Sequence, residues 1–357
     1  MSARPGILSA KTRRRGSVVV FVLGIIMLAV FLITRLMDRA AVELAAESKA
    51  TKRADLRQEA FSALEAALAV LADEAAAGDG LHDLSEGWDR PLRLMNYVPS
   101  EGYVAEVVVE DETGKLSLPQ ATEETLLAYL TAIGCPLTAT DRVLDALLTW
   151  TRPDHISLER GSLEFDTAAL PYDAPQRALR SFEELRAMPA VRDIFFDEQG
   201  RWNEIGNRFR AGASLFSFSA TNFNSAAADS LLAHGLDRSR VSAIEQARKN
   251  RAAGMSSYYR SPAELAGAWG RDAPPPGLGT EALCLRVVVL VRFGGRDYRL
   301  DAWVGRPGSV SPGRTATGPT RDPGSAPAEP VIPSVRNNPR KRVDYPFQIL
   351  ELRENGS

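Results

Sequence analysis

The chain has 357 residues, 45% of them hydrophobic, which is enough for one large folded domain or two medium ones and excludes a fully disordered protein. Its 43 basic and 45 acidic residues give a net charge of −2. Because five of the bases and no acid lie in residues 1–16, the remainder carries a net charge of −7, which disfavours a nucleic acid as its general partner.

The first predicted element is an apolar segment that follows a run of arginines. Residues 17–34 contain no charge and no proline, and Gly16 separates them from the three bases Arg13, Arg14 and Arg15. Eighteen helical residues extend about 27 Å, close to the hydrocarbon thickness of a bilayer. Because the bases precede the segment and no small-x-small cleavage site follows it, we expect a retained single-pass anchor with a cytoplasmic N-terminus.

The helical pattern continues beyond the apolar segment. Residues 36–77 contain no proline or glycine and are rich in strong helix formers. Apolar residues recur at three- and four-residue steps between Leu56 and Leu71, and Gly78 begins a Gly-Asp-Gly stop signal. The sequence therefore predicts one stem helix over residues 17–80, about 90 Å long, whose second half is amphipathic.

A β region and a helical region follow the stem. Within residues 81–120, the segment 102–110 is rich in β-branched residues and 115–118 predicts a second short strand. Residues 121–280 predict a mostly helical domain. Its first hairpin has helices over 122–133 and 138–150, joined through a glycine corner.

This first hairpin could be interpreted as a helix-hairpin-helix DNA-binding module. Such a module needs a glycine loop backed by bases that hold phosphates. The loop at residues 133–137 is apolar and acids surround it. We therefore expect no nucleic-acid partner.

The rest of the helical domain is less regular. A short capped helix is predicted over 181–188, then loops and short strands over 190–218. A second helical hairpin is predicted, with helices over 222–234 and 239–251. Its layout is similar to that of the first hairpin, which indicates an internally repeated unit. Asn222 and Asn224 are expected to turn the chain rather than bind a ligand.

The C-terminal part has three predicted segments. Residues 281–304 predict a β-hairpin that turns at a Gly-Gly pair. Residues 305–342 are dominated by Pro, Gly, Ser, Thr and Arg and predict a disordered linker. Residues 343–357 predict one strand that docks either on the head sheet or on the edge of a partner.

Several short motifs together resemble a known family. The N-terminal pattern resembles the leader of type IV prepilins: it consists of bases, a glycine, a small residue and then an apolar stretch. Further motifs occur in the order that is typical of the minor pseudopilin K family of type II secretion systems: Glu110–Leu118, Leu144–Asp154, Ser181–Leu185, Asn222–Ala226 and Ser261–Leu265. The resemblance covers most of residues 13–304.

The resemblance implies a fold and a processing step. The implied fold is α+β: a pilin-like long N-terminal helix packed on a small antiparallel sheet, with a large, mostly helical insert. Residues 1–16 would be a prepilin leader, recognised through Arg13, Arg14 and Arg15. A prepilin peptidase would cut it between Gly16 and Ser17, and the chain would stay in the inner membrane with its head in the periplasm.

The resemblance also implies an assembly. Major pseudopilins carry a glutamate at the fifth mature position, where this sequence has Phe21. That difference implies a tip position, in complex with minor pseudopilins I and J. Family members can bind calcium through acidic loops. Here Thr149, Thr151 and Arg152 replace most of the acids around Trp150, so we expect no cofactor. Packing is the expected role of Trp150.

Two other functions remain open from the sequence: a minor pilin of a type IV pilus or DNA-uptake machine, and a signal-anchored periplasmic enzyme. Against an enzyme, the sequence has no G-x-S-x-G or P-loop motif. None of His82, His155 and His234 has an acid or cysteine at triad or metal-ligand spacing. The acid pair Glu183 and Glu184 is expected to be solvated. Cys135 and Cys284 could form one bridge in an oxidising compartment, but buried thiols are the expected state.

Overall fold

The computed structural model describes residues 14–157, 174–252, 258–268, 275–313 and 347–354. The α-helices in these ranges are α1 (Arg14–Ala77), α2 (Pro91–Leu94), α3 (Glu123–Ala132), α4 (Leu137–Thr151), α5 (Pro189–Phe195), α6 (Glu204–Gly212), α7 (Ala228–Ala233), α8 (Arg238–Ala252) and α9 (Pro262–Ala268). The strands are β1 (Val104–Asp111), β2 (Leu116–Ser117), β3 (Ala213–Ser214), β4 (Phe216–Phe218), β5 (Thr221–Asn222), β6 (Leu278–Gly279), β7 (Cys284–Phe293), β8 (Arg296–Gly305), β9 (Val310–Pro312) and β10 (Gln348–Glu354).

The chain divides into two compact units, residues 1–58 and residues 59–357. In the first unit, α1 begins at Arg14 within the described residues. Its segment Val18–Leu44 has a mean hydropathy of 2.8, and none of it is buried. By length and composition, this segment is sufficient to cross a membrane.

The second unit, which we call the head, is built around a four-stranded sheet in the order β1-β7-β8-β10. Every neighbouring pair in this sheet is antiparallel. Strands β7 and β8 form the predicted hairpin, which turns at Gly294 and Gly295 with φ angles of +55° and +74°. A two-residue turn with positive φ at both positions suits the twist of a hairpin, and glycine adopts it without strain.

Successive side chains of a strand point to opposite faces of the sheet, so the alternating apolar residues of these strands form one apolar face. The buried residues on this face include Val107, Val109, Leu285, Val287, Val289, Val291, Leu300 and Val304. The C-terminal part of α1, which ends at Ala77, directly before the Gly-Asp-Gly stop signal, has its own buried stripe: Ala60, Ala63, Leu64, Ala67 and Leu71. The three- and four-residue spacing of that stripe is the amphipathic pattern read from the sequence.

The insert lies between β1 and β7 and has a separate core made by α3 to α6. Thr122 caps α3, and its hydroxyl accepts a hydrogen bond from the Thr125 amide at 3.2 Å. Phe209 lies inside this core, and its ring centroid is 4.8 Å from that of Phe195 and 5.6 Å from that of Tyr129. Helices α3, α4 and α8 confirm the predicted helices at these places.

Two sequence predictions about the insert are wrong in part. The segment 190–218 contains short strands as predicted, β3 and β4, but also the helices α5 and α6. These helices form because tertiary contacts with the insert core outweigh weak helix propensity there. The helix predicted over 222–234 begins only at Ala228, because the preceding asparagines hydrogen-bond the backbone instead. The capped helix predicted over 181–188 is confirmed as a 3₁₀ helix, Phe182–Ala187, capped by Ser181.

The C-terminal predictions have mixed outcomes. The linker predicted over 305–342 begins too early, because β9 lies within it and pairs with β4, with Val310 buried in the interface. The rest of that linker, 314–342, lies outside the described residues. The predicted last strand is confirmed over 348–354 as β10, which pairs with β8 at the edge of the sheet. The predicted domain boundaries stay predictions.

Candidate functional site

The residues predicted for leader processing lie at the start of α1. Gly16 and Ser17 are in the first turns of the helix, with Arg14 and Arg15, whereas Arg13 lies outside the described residues. Nothing in the structure tests which bond is cut, so the Gly16–Ser17 site stays a prediction. Phe21, on the apolar segment, is 70% exposed. Its place at the fifth mature position stays a prediction.

In the head, two of the sequence motifs meet at a half-buried carboxylate. Asp111 ends β1, and its side chain accepts three hydrogen bonds. The donors are Asn222 Nδ2 at 2.7 Å, Ser225 Oγ at 2.5 Å and the Thr113 amide at 2.8 Å. Asn222 and Ser225 are more than 100 residues further along the chain, so this contact ties the insert to the sheet.

Burial controls the acidity of this carboxylate. Desolvation raises the pKa of Asp111 to about 6, and the lowering effect of the hydrogen bonds from Ser225, Asn222 and Thr113 offsets only part of the rise. A group that is half ionised near pH 6 makes the junction between sheet and insert sensitive to pH.

Two buried asparagines complete this junction. Asn222 Nδ2 also donates to the His82 carbonyl at 2.9 Å, and Asn222 Oδ1 accepts from the Asn224 amide at 3.0 Å. Asn224 Nδ2 donates to the carbonyls of Tyr259 and Thr280, and its Oδ1 accepts from the Tyr259 amide at 2.9 Å. These bonds confirm that both asparagines turn and tie the chain.

Two further motifs meet beside α4. Trp150 is 5% exposed, which confirms its packing role, and its Nε1 donates to Glu184 Oε2 at 3.1 Å. Glu184 also accepts from the Arg180 amide at 2.9 Å and from Arg177 Nη1 at 3.1 Å. The expectation that Glu183 and Glu184 are both solvated is therefore wrong for Glu184, whose side chain is 19% exposed, and holds for Glu183, at 59%.

Both Ser-x-x-Glu-Leu motifs have the same structural explanation. Each serine hydroxyl accepts a hydrogen bond from a backbone amide two or three residues later, and each glutamate accepts from the amide four residues before it. This arrangement is a variant of the capping box that starts a helix. Leu185 and Leu265, which end the two motifs, are fully buried. The motifs are therefore folding signals.

We expect Glu184→Ala to lower the free energy of unfolding of the head by about 1.5–3 kcal/mol, because it removes a charged acceptor from three donors. Glu183→Ala is the matched control and should change it by no more than about 0.5 kcal/mol. Urea denaturation followed by tryptophan fluorescence measures both. Equal losses in the two variants would show that the Glu184 network does not stabilise the head.

The histidines are not isolated, which corrects the sequence analysis. His155 Nε2 lies 2.8 Å from Asp145 Oδ1, and Ser157 Oγ donates to Asp145 Oδ2 at 2.9 Å. A serine-hydrolase relay needs the histidine between serine and acid. Here the acid lies between them, so this arrangement does not activate the serine. His82 and His234 contact the Thr280 carbonyl and the Thr221 hydroxyl, respectively.

Metal and thiol chemistry can be assessed only over the described ranges. There, no three His, Cys, Asp or Glu side chains are placed together as a metal site would require. Cys135 and Cys284 are both buried and unbridged. Burial raises the pKa of both thiols, which disfavours the reactive thiolate.

The architecture defines the class of fold. A long N-terminal helix, an antiparallel sheet and a mostly helical insertion between the first two sheet strands make an α+β pseudopilin-like fold. No protein-family model and no curated protein matches the chain in sequence.

A solved structure shares this fold. It is the GspK subunit of the GspK-GspI-GspJ complex from the enterotoxigenic Escherichia coli Type 2 Secretion System. The TM-score is 0.54 with 12% sequence identity, and the similarity covers 87% of this chain and 100% of that chain. At this identity the likeness establishes the fold.

Proposed function

We propose that this protein is a minor pseudopilin at the tip of a type II secretion pseudopilus, where it assembles with minor pseudopilins I and J and helps protein export across the outer membrane. The observation that carries the proposal is the fold likeness to GspK, which extends over that entire chain. GspK was solved in complex with GspI and GspJ, which supports the same kind of partners here.

Phe21 supports the tip position. A carboxylate inside a membrane helix is costly unless a neighbouring group pairs with it. A phenylalanine has no such requirement, so the helix can be stable without a subunit above it. The exposed aromatic ring is compatible with lipid on all sides.

The N-terminal pattern supports the proposed location. Segment Val18–Leu44 has the length and composition of a membrane span, and the bases that precede it favour a cytoplasmic N-terminus. In this proposal the protein crosses the inner membrane once, and its head lies in the periplasm. The protein performs no reaction itself; a prepilin peptidase acts on it between Gly16 and Ser17.

Intact mass of the membrane-extracted protein tests the processing step. With co-expressed prepilin peptidase, we expect a loss of residues 1–16 and a mature chain that begins at Ser17. Gly16→Val should block the cut, because a branched side chain replaces the glycine at the scissile bond. Gly24→Val is the matched control: it lies in the same apolar helix with open space around it, and should be cut normally. A full-length wild-type chain beside active peptidase would contradict the proposal.

Co-purification tests the assembly. Minor pseudopilins I and J of the same secretion system should be retained by the tagged, processed chain, whereas minor pilins of a type IV pilus should not. Retention of the pilus subunits alone would replace the secretion role with the pilus role.

A further inference from the structure

The C-terminal strand β10 lies at the edge of the head sheet and follows a long connecting segment. Strand β10 forms the outer edge of the sheet. The described segment that contains it, 347–354, is separated by 33 residues from the preceding described segment, which ends at Gly313. We propose that the edge of β8 is a strand-binding site and that residues 347–354, which occupy it, are an exchangeable ligand. The same segment of a second copy of this chain can take their place. This proposal does not depend on the secretion role.

The exposure of the side chains in the sheet supports the proposal that β10 can separate from β8. The inward side chains of β8, namely Tyr298, Leu300, Ala302 and Val304, are all at most 2% exposed. No residue of β10 is buried to that degree; each is half-buried or exposed, and Ile349 is 49% exposed. Elements with little buried apolar surface open at low free-energy cost. Strand β10 therefore buries its own side chains less completely than β8 does.

The contacts of β10 are those of a bound peptide. Its backbone forms an antiparallel ladder with β8, from Gln348 opposite Gly305 to Glu354 opposite Leu300. Main-chain bonds of this kind give affinity to an added strand, and side-chain pockets give it specificity. The ladder is interrupted by a bulge between Ile349 and Glu351, and Leu350 lies in this bulge.

Three side chains fix the register of the strand. Leu350 packs against a small cluster that includes Phe216, Phe218, Cys284 and Val310. The Arg353 guanidinium lies over the Trp303 ring at 4.9 Å, and Tyr298 Oη donates to Glu354 Oε2 at 2.7 Å. The site therefore selects an extended segment with an apolar anchor, then an arginine three residues later, then an acid.

Covalent geometry allows a second copy to supply this segment. The 33 connecting residues have a maximum reach of about 110 Å, so the connection does not confine the strand to its own head. Because the strand is covalently joined to its own head, its pairing with that head is intramolecular, so the intact chain favours its own strand. A test must remove that advantage.

The test uses the full chain with a protease site inserted between Gly313 and Phe347 and cut after folding. A fluorescent peptide of residues 347–354 is then added, and its anisotropy is followed. We expect saturable binding to the cut chain and far weaker binding to the uncut chain. Leu350→Ala in the peptide should weaken binding by about tenfold or more, whereas Ile349→Ala, at the exposed neighbouring position, should change it by about threefold or less.

Exchange between copies is measured by mixing two cut samples, one of them isotope-labelled. Native mass spectrometry should detect hybrids in which one head carries the C-terminal fragment of the other. Two results would overturn the proposal: a folded cut chain that takes up neither peptide nor fragment, or loss of cooperative unfolding when the fragment leaves. Either result would make β10 an integral strand of the fold.

Discussion

Replacing Phe209 by alanine is expected to lower the free energy of unfolding of the head by about 3–5 kcal/mol. The residue lies on α6 and is fully buried. Its ring is within 4.8–6.2 Å, centroid to centroid, of the rings of Tyr129, Phe182 and Phe195. Truncation to a methyl group removes these contacts and leaves a cavity that four helical elements border, so the surrounding structure can relax only partly.

Urea denaturation of the full chain in detergent measures this effect. All five tryptophans lie between residues 88 and 303, so fluorescence reports on the head and not on the apolar helix. Phe209→Leu, which keeps most of the apolar volume, should lose clearly less than Phe209→Ala. Ile156→Ala, at a position that is 84% exposed, should stay within about 0.5 kcal/mol. A loss below about 1 kcal/mol for Phe209→Ala would mean that the insert core is not packed as described.

Strong local signals made part of this fold predictable. The Gly-Gly pair at 294–295 fixes a hairpin because both residues need positive φ, and the capping threonine at 122 with early acids fixes the start of α3. Each signal acts within a few residues of the structure that it specifies. Such features can be read without knowing what packs against them.

Helix α6 shows why other parts could not be predicted. Gly206 gives it poor helix propensity, yet the helix packs so closely that a Cβ at this position would lie 2.3 Å from the Phe195 carbonyl oxygen. The glycine is required by a tertiary contact, and nothing in the local sequence identifies the contact. Strand β9 was missed for the same reason, since its partner β4 is about 90 residues away.

The junction around Asp111 was also only half predictable. Its neighbouring Glu-Thr-Gly segment has turn chemistry, and the asparagines near 222 have turn chemistry of their own. That the two turns share one carboxylate depends on a separation of 111 residues. The role of Glu184, by contrast, could have been read from the capping pattern with Ser181.

As pH rises from about 4 to about 6, Asp111 is expected to make the head progressively less stable. Burial raises the pKa of this carboxyl from 3.8 to about 6 in the folded state, so the folded protein binds more protons than the unfolded chain in this interval. Stability therefore falls with rising pH, by about 3 kcal/mol in total for this group, since each unit of pKa difference corresponds to about 1.4 kcal/mol.

The effect is isolated by comparison with Asp111→Asn, which cannot ionise. Other groups act in the opposite direction: burial raises the pKa of Asp301, but hydrogen bonds from Arg299 and Arg286 outweigh it and hold that pKa below its usual range. The test is therefore the difference between the free energies of unfolding of the wild type and of Asp111→Asn, measured as a function of pH. Relative to Asp111→Asn, the wild-type head should lose stability between pH 4 and 6 and run parallel above pH 7.

Asp193→Asn is the matched control, because it removes one carboxylate at a position whose side chain is 68% exposed. Its curve should follow the wild type throughout. Parallel curves for wild type and Asp111→Asn from pH 4 to 7 would contradict the raised pKa, and would mean that the three donors from Thr113, Asn222 and Ser225 fully offset the burial of the charge. A wild-type stability that falls between pH 4 and 6 relative to Asp111→Asn would instead identify this carboxylate as the pH-sensitive link between sheet and insert.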